Sequence, residues 1–457
     1  MKLTPVDEIV TLSGGRLACG DKETICRGLS FDSRTCEPGD VFVALVAERD
    51  GHDFISTALG RGAVACLVSR DDVVDEISEA GAAAVLVDDT LEALHRWAAG
   101  YRKLLNPTVI AVTGSNGKTS TKDLIRSVLG ERFVVGATRG NFNNHIGLPA
   151  SILGLSGRES HAVLEIGMNH AGEIAPLAKI AAPDISVVTN IGVAHIEFLG
   201  SREAIAEEKG ELVTALDGDG VAVINANDDF ADTLAFRCDG QVVRAGIDRG
   251  DVRAENLKPL GARTEFDLVS PDGERRSVSM PIPGRHMVGN AVLAAAVGFT
   301  CGLTMDEVVA GIESVALTSG RLGADDADGV VVIDDSYNAN PDSMIAALDV
   351  LATWPGAKRR FAALGAMGEL GEFSDSGHQS VGAHAASLDL DGLVVVGDGA
   401  QKIVEAASGA AFPVEFFPSI DAAADALRAF AYQPGDVVLV KGSRSSRMEA
   451  LIEPIRA

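Results

Sequence analysis

The residue types that could do chemistry first gather in "VIAVTGSNGKTSTKDLI", which starts at Val109. An apolar run meets two glycines, Gly114 and Gly117, and then Lys118 and Thr119 open an amphipathic stretch. A strand, a glycine turn and a helix start, in that order, aim backbone N–H groups and a positive dipole end at an anion. Lys118 could then reach terminal phosphates, and the Thr119 hydroxyl could ligate Mg²⁺. The usual phosphate loop is G-x-x-x-x-G-K-[ST], whose first glycine would fall at Val112. Here the spacing is G-x-x-G-K-T. Taken alone, the string also describes an ordinary strand-to-helix turn with a surface lysine.

Later strand ends add polar residues on the same expected edge. "LEIGMNHAGEI" places Glu165 at the end of an apolar strand, where a carboxylate is costly unless paired or metal-bound. "TNIGVAHIEFLGS" supplies Asn190, His195 and Glu197. A lone histidine is usually a satisfied polar residue, but His195 lies past a strand end, as Glu165 does. For Mg²⁺, a hard ion, the carboxylate is the better ligand. "GNFNNHIGLPA" packs Asn141, Asn143 and Asn144 between glycines, which suits a loop that approaches a ligand closely. In "EEKGELVTALDG", Lys209 stands among Glu207, Glu208 and Glu211, and charge alone reads it as a solvated helix face. "DDSYNANPDSM" follows a strand and precedes a helix. Its Asp335, Tyr337, Asn338 and Asn340 are too polar for a core, and Pro341 suits a first helical position. Two more strand-end loops carry Glu369 and the basic set Lys441, Arg444 and Arg447. That set fits an anionic ligand, such as a carboxylate, or a solvated helix start.

These residues need elements to hold them. Short β-branched runs alternate with helical patterns, which predicts α/β architecture with mainly parallel sheets. We expect three domains. Residues 1–103 form a smaller α/β unit, with strands in "DVFVAL" and "AVACLVS" and a closing helix "LEALHRWAAGYRKLL" broken at Asn106-Pro107. Residues 104–317 form a central unit containing the phosphate loop. Its apolar strands "TVIAVTG", "HAVLEIG", "DISVVTNIG" and "GVAVINAN" are followed by a hairpin signal, "RTEFDLVSPDGERRSVSMPI". Thr304 and Glu307 have capping-box spacing at the start of a late helix. Residues 318–457 contain four more strands, "GVVVIDD", "RRFAALG", "GLVVVGDG" and "DVVLVKG". They predict a Rossmann-like, doubly wound sheet whose ligands sit at the strands' C-terminal ends.

Composition excludes some partners. A net charge of −26 over 457 residues argues against nucleic acid and anionic membranes, which need a basic face. A few local lysines and arginines can still hold a small anion. None of the six cysteines is spaced C-x-x-C, so zinc ribbons and redox motifs are unsupported, and reduced thiols in a cytoplasm are expected. The N-terminus lacks a signal-peptide core and no apolar run reaches membrane length. We expect a cytoplasmic monomer with no membrane insertion.

Together, "TGSNGKTS", "GNFNNHIGLP", "EIGMNHAGEI", "TNIGVAHIEFLGS", "SGRL", "DDSYNANPDSM", "MGELG" and "KGSRSSRME" occur in the order seen in Mur ligases. The resemblance spans essentially the whole chain. "SYNANPDSM" resembles the type that adds D-alanyl-D-alanine to UDP-N-acetylmuramoyl-tripeptide. It implies an ATP-dependent reaction through an acyl phosphate, with two Mg²⁺ ions. By resemblance, Gly114, Ser115, Asn116, Gly117, Lys118 and Thr119 hold the ATP phosphates, and Thr119 and Glu165 ligate one Mg²⁺. His195 and Lys209 serve the second ion, Lys209 as a carbamate. Asn290 resembles an adenine contact, Arg321 a phosphate contact from across the domains, and Asp335 a nucleotide contact. Ser33 and Arg34 are implied near the uridine diphosphate. Asn141, Asn144, Asn338, Asn340, Lys441 and Arg444 are implied near the peptide and dipeptide. The other readings are a different ligase of the superfamily, such as one adding glutamate to folate, and a phosphate-loop NTPase switch.

Overall fold

Val109, Ile110, Ala111 and Val112 are fully buried, and their strand, Thr108–Thr113, lies inside a nine-stranded sheet. Burying one such aliphatic side chain contributes about 1.5–3 kcal/mol, which is why a short apolar run suffices for an interior strand. The structure is a computed structural model and describes residues 1–456. In the central sheet Thr108–Thr113 pairs in parallel with His161–Glu165 on one side and Ile185–Val188 on the other. After this strand the chain runs out to Val135–Ala137, returns through His161–Glu165 and then crosses to Ile185–Val188 on the opposite side. That is a topological switch point, and the crevice it opens lies at the strand's C-terminal end, where Gly114–Gly117 sits.

Beyond Ile185–Val188 come Val221–Asn225, Gln241–Ile247 and Val252–Leu260, all parallel. Val135–Ala137 forms the far edge. The expected hairpin is present as antiparallel Arg263–Val269 and Arg275–Met280. Its turn passes through Gly273, whose φ of +89° an L side chain would resist.

A six-stranded sheet follows. From its edge the order is Gly323–Ala327, Val330–Asp335, Asp436–Lys441, Arg359–Gly365, Gly392–Val396 and Val414–Phe417. All its pairings are parallel except the first. The N-terminal sheet has five strands, with Asp40–Val43 and Ala65–Val68 at its buried centre. The architecture is the expected three-domain α/β arrangement. Among the described residues no helix is long and apolar enough to cross a membrane.

The late helix Met305–Glu313 starts with a complete capping box. The Thr304 N–H donates to Glu307 Oε2 at 2.7 Å, and the Glu307 N–H donates to Thr304 Oγ1 at 3.4 Å. Thr304→Ala should cost about 1 kcal/mol of local stability. The expected readout is faster hydrogen exchange across Met305–Glu313, with unchanged exchange in the six-stranded sheet.

Candidate active site

The loop is built as the spacing requires. Gly117 caps the helix Lys118–Gly130 with φ +78°, and Gly114 has φ +150°. A Cβ on Gly114 would collide with Thr189 Oγ1, and one on Gly117 would sit 2.7 Å from Asn290 Oδ1. The first backbone bond of the helix runs from Thr121 N–H to Gly117 O. The amides of Lys118, Thr119 and Ser120 therefore have no acceptor inside the helix. Ser115 and Asn116 face inward instead. Their N–H groups donate to Asn190 O and Asn190 Oδ1, each at 2.9 Å. Lys118 folds back and donates to Gly114 O at 2.7 Å. Burial pushes its ammonium below the usual lysine range, Glu165 opposes this, and the charge of Arg321 adds to it.

Glu165 ends its strand, 2 % exposed. Its carboxylate accepts from Thr119 Oγ1 at 2.7 Å and from Asn143 Nδ2 at 2.8 Å. The asparagine of "NFNN" that reaches this carboxylate is thus Asn143. Asn144 turns its Oδ1 to the Gly147 N–H at 2.8 Å and so starts the next helix, Gly147–Leu153. Asn141, Asn143 and Asn144 all line the same cavity as the loop.

His195 has a left-handed backbone, φ +63°, directly before the short helix Ile196–Leu199. A non-glycine residue held there stores local strain, which concentrates at functional positions. Its Nδ1 lies 2.7 Å from Glu369 Oε2, close enough for charge pairing but off the line of a good hydrogen bond. Glu369 is itself at φ +60°. The imidazole beside it holds its carboxyl below the usual range, against its burial.

Lys209 corrects the reading of a solvated helix face. It is 0 % exposed, and its Nζ has no hydrogen-bond partner among the described residues. Burial pushes its ammonium far below the usual lysine range, with the Lys118 charge acting in the same direction. Glu208 opposes this weakly, because its carboxylate is turned to the amides of Gly172 and Ile174 at 2.7 and 2.8 Å. A signal for this burial was present in the spacing. Ile205, Lys209, Leu212 and Val213 are separated by i, i+4, i+7 and i+8, one face of a helix, and the other three are buried core.

The six-stranded sheet supplies the opposite wall. Asn340 caps the helix Pro341–Ala352 through Ser343 N–H and donates to Asn116 Oδ1 at 2.7 Å. Asp342 Oδ2 accepts from Val193 N–H at 3.2 Å. Lys441 is 2 % exposed and paired with Asp335 at 2.6 Å, and it also donates to Asn338 O at 2.9 Å. It is therefore not a free cation. Arg444 is exposed and paired with Glu449 at 2.9 Å. Arg321 stacks on Tyr337, with its guanidinium carbon 4.3 Å from the ring centroid.

Two connected cavities result. One of about 1210 Å³ is lined by the loop, Glu165, His195, Arg321, Asp335, Asn338, Asn340, Lys441 and Arg444. A neighbouring, mainly apolar cavity of about 780 Å³ runs from Asn116, Gly117 and Asn290 past His286 to Trp354. Lys209 lines neither cavity, and its link to the site is the Lys118 charge that acts on it. Ser33 and Arg34 are elsewhere, just past the strand Gly28–Ser30 of the first sheet, where Arg34 forks onto Asp32 at 2.6–3.2 Å.

The sequence matches the Mur ligase family catalytic domain over residues 26–102, the Mur ligase middle domain over 112–298 and the Mur ligase glutamate ligase domain over 320–444. It is 35% identical to the UDP-N-acetylmuramoyl-tripeptide–D-alanyl-D-alanine ligase of Bacillus subtilis, covering 98% of each chain. It is 37% identical to the Escherichia coli enzyme of that name, covering 94% of this chain and 93% of the other. A crystal structure of MurF from Acinetobacter baumannii superposes with a TM-score of 0.91 at 33% identity, with each chain fully covered. MurF from Thermotoga maritima in complex with ADP gives a TM-score of 0.83 at 32% identity, covering 94% of this chain and 97% of the other. With three family domains in order along it and relatives matched nearly end to end, this chain belongs to the Mur ligase family.

Proposed function

We propose that this chain is an ATP-dependent amide ligase that joins D-alanyl-D-alanine to UDP-N-acetylmuramoyl-tripeptide, giving the pentapeptide precursor of peptidoglycan in the cytoplasm. The observation that carries this reading is the larger cavity, in which a phosphate loop on one sheet faces the strand-end loops of another. A phosphoryl donor and an incoming amine can meet there, and the relatives named above carry that activity in their names.

The chemistry follows from that meeting. A terminal carboxylate oxygen of the tripeptide attacks the γ-phosphorus of ATP, and the bond to the ADP oxygen breaks. The resulting acyl phosphate has a good leaving group. The dipeptide amine attacks its carbonyl carbon and loses a proton, and the carbon–oxygen bond to phosphate breaks, leaving an amide. The protein's part is to position the reactants and neutralise negative charge. Lys118 and the amides at the start of its helix serve the β- and γ-phosphates, and Arg321 approaches from the linker. The mainly apolar cavity beside Gly117 suits the adenine, with Asn290 at its mouth.

Thr119 and Glu165 offer hard oxygen donors 2.7 Å apart beside the loop, which fits one Mg²⁺. Bound there, the ion would withdraw charge from the transferring phosphoryl group. Lys209 could serve a second ion near His195 only as a carbamate, because an ammonium cannot ligate a cation. The buried, unpartnered amine supports that modification: its neutral form is the one that adds CO₂. Ser33 and Arg34 would meet the uridine diphosphate on the first sheet.

In a coupled assay, ADP release should require both the UDP-tripeptide and D-alanyl-D-alanine. Release with either omitted would point to a switch or to another acceptor. Gly117→Ala forces strain of about 1–3 kcal/mol onto the loop. It should weaken nucleotide binding about tenfold in a calorimetric titration, with the fold intact by circular dichroism.

A further inference from the structure

The linker between the central and C-terminal sheets is held at both ends. On one side Asp123 Oδ2 accepts from the Thr318 N–H and the Thr318 hydroxyl, both at 2.9 Å. Asp123 is 4 % exposed, and its other oxygen pairs with Lys122 at 2.9 Å. On the other side Asp335 Oδ1 accepts from the Leu322 N–H at 3.2 Å. Between these clamps the Tyr337 N–H donates to Gly320 O at 3.2 Å. Gly320 and Leu322 both adopt left-handed backbone, φ +75° and +54°, so the chain turns sharply on either side of Arg321. The Arg321 guanidinium lies over the Tyr337 ring, and its Nε is buried without a partner among the described residues. It lines the cavity that Lys118 and Thr119 line.

We propose that Asp123 and Tyr337 are positioning residues: they hold this doubly clamped turn so that the Arg321 guanidinium is presented to the phosphoryl group being transferred. The inference rests on the reading of Arg321 as a phosphate contact. Asp123 stands on the same helix as Lys118 and Thr119, within its first two turns. The clamp therefore sets the linker from the same rigid element that holds the phosphates. Stacking on Tyr337 restrains a long, flexible side chain while leaving the in-plane N–H donors free for an oxyanion. An Arg321 on an unclamped linker would have to be ordered at each turnover.

The test is a set of double-mutant cycles on the full chain, read by kcat, by KM for each substrate and by the thermal midpoint. Arg321→Ala should lower kcat about 10²-fold. Tyr337→Leu and Asp123→Asn should each lower kcat about tenfold, with KM for the UDP-tripeptide unchanged. Tyr337→Phe keeps the ring and should restore most of the rate. In the Arg321→Ala background neither Tyr337→Leu nor Asp123→Asn should cost anything further. Equal losses in both backgrounds would overturn the inference, as would wild-type kcat in Tyr337→Leu. Wild-type kcat in Arg321→Ala would instead overturn the reading of Arg321 itself. Asp123→Asn leaves the buried Lys122 without its charge partner, keeping only its bond to Thr138 O, so if that variant fails to fold, the Tyr337 cycle decides alone.

Discussion

The Lys118→Ala variant should lose about 10³-fold in kcat while keeping its fold. The amine is half-buried and is satisfied only by the carbonyl oxygens of Gly114 and Ser115, at 2.7 and 3.4 Å. Those acceptors belong to the loop itself, so the cation does not tie together distant parts of the structure. Removing it leaves the helix amides and the loop backbone in place. It deletes the one lysine charge aimed from the loop at phosphates. The thermal midpoint should therefore stay level or rise, since a half-buried cation whose hydrogen-bond partners are all neutral adds little stability. Lys118→Arg should also be slow, because a planar fork cannot replace a point charge between two carbonyls. Steady-state kcat and a thermal melt on the same samples check both halves. Wild-type turnover in Lys118→Ala would remove the loop from the reaction.

The parts of the fold that the sequence makes legible are those where one signal dominates. "TVIAVTG", "HAVLEIG" and "DISVVTNIG" are apolar because both faces of an inner parallel strand are buried, and each is a strand. The Asp-Gly hairpin and the Thr304 capping box are local chemistry and form as spaced. Gln241–Ile247 escapes notice because Arg244 interrupts its apolar run, and Val252–Leu260 because polar residues break its alternation. The second carries Arg253, Glu255 and Lys258, and four of its nine residues are exposed. Val135–Ala137 is three residues long, too short for any period to show. At the site, Glu165 was legible from the cost of a carboxylate in an apolar strand. The choice among Asn141, Asn143 and Asn144 was not, since a loop has no period to say which side chain turns inward. Lys441 read as a free cation because its partner, Asp335, is 106 residues away. Lys209 was concealed by its acidic neighbours: Glu207 and Glu211 do face outward toward Arg237, at 3.9 and 3.0 Å, while the lysine between them does not.

Lys209→Met should separate stability from activity more sharply than any other substitution here. In CO₂-depleted buffer the wild-type amine is unmodified, buried and unpartnered, and its folded pKa lies far below the usual lysine value. The unfolded chain, whose lysine titrates near 10.4, then binds the proton more tightly than the folded one. Stability is lost as pH falls below that unfolded value and stops changing once it passes the folded one. Methionine has similar bulk and no charge, so the variant should be more stable by about 1–3 kcal/mol at neutral pH, with the advantage shrinking toward pH 10. Activity should move the other way. Wild-type kcat should rise when bicarbonate is returned, and the methionine variant should stay inactive at every bicarbonate concentration. The readouts are urea melts across pH, kcat against bicarbonate, and a ¹³C carbamate signal from labelled bicarbonate that is lost in Lys209→Met. A wild-type rate indifferent to bicarbonate, with no such signal, would leave Lys209 as a buried amine and the second ion without its ligand. A rate that follows the signal would make the helix's most costly side chain the precursor of its most useful one.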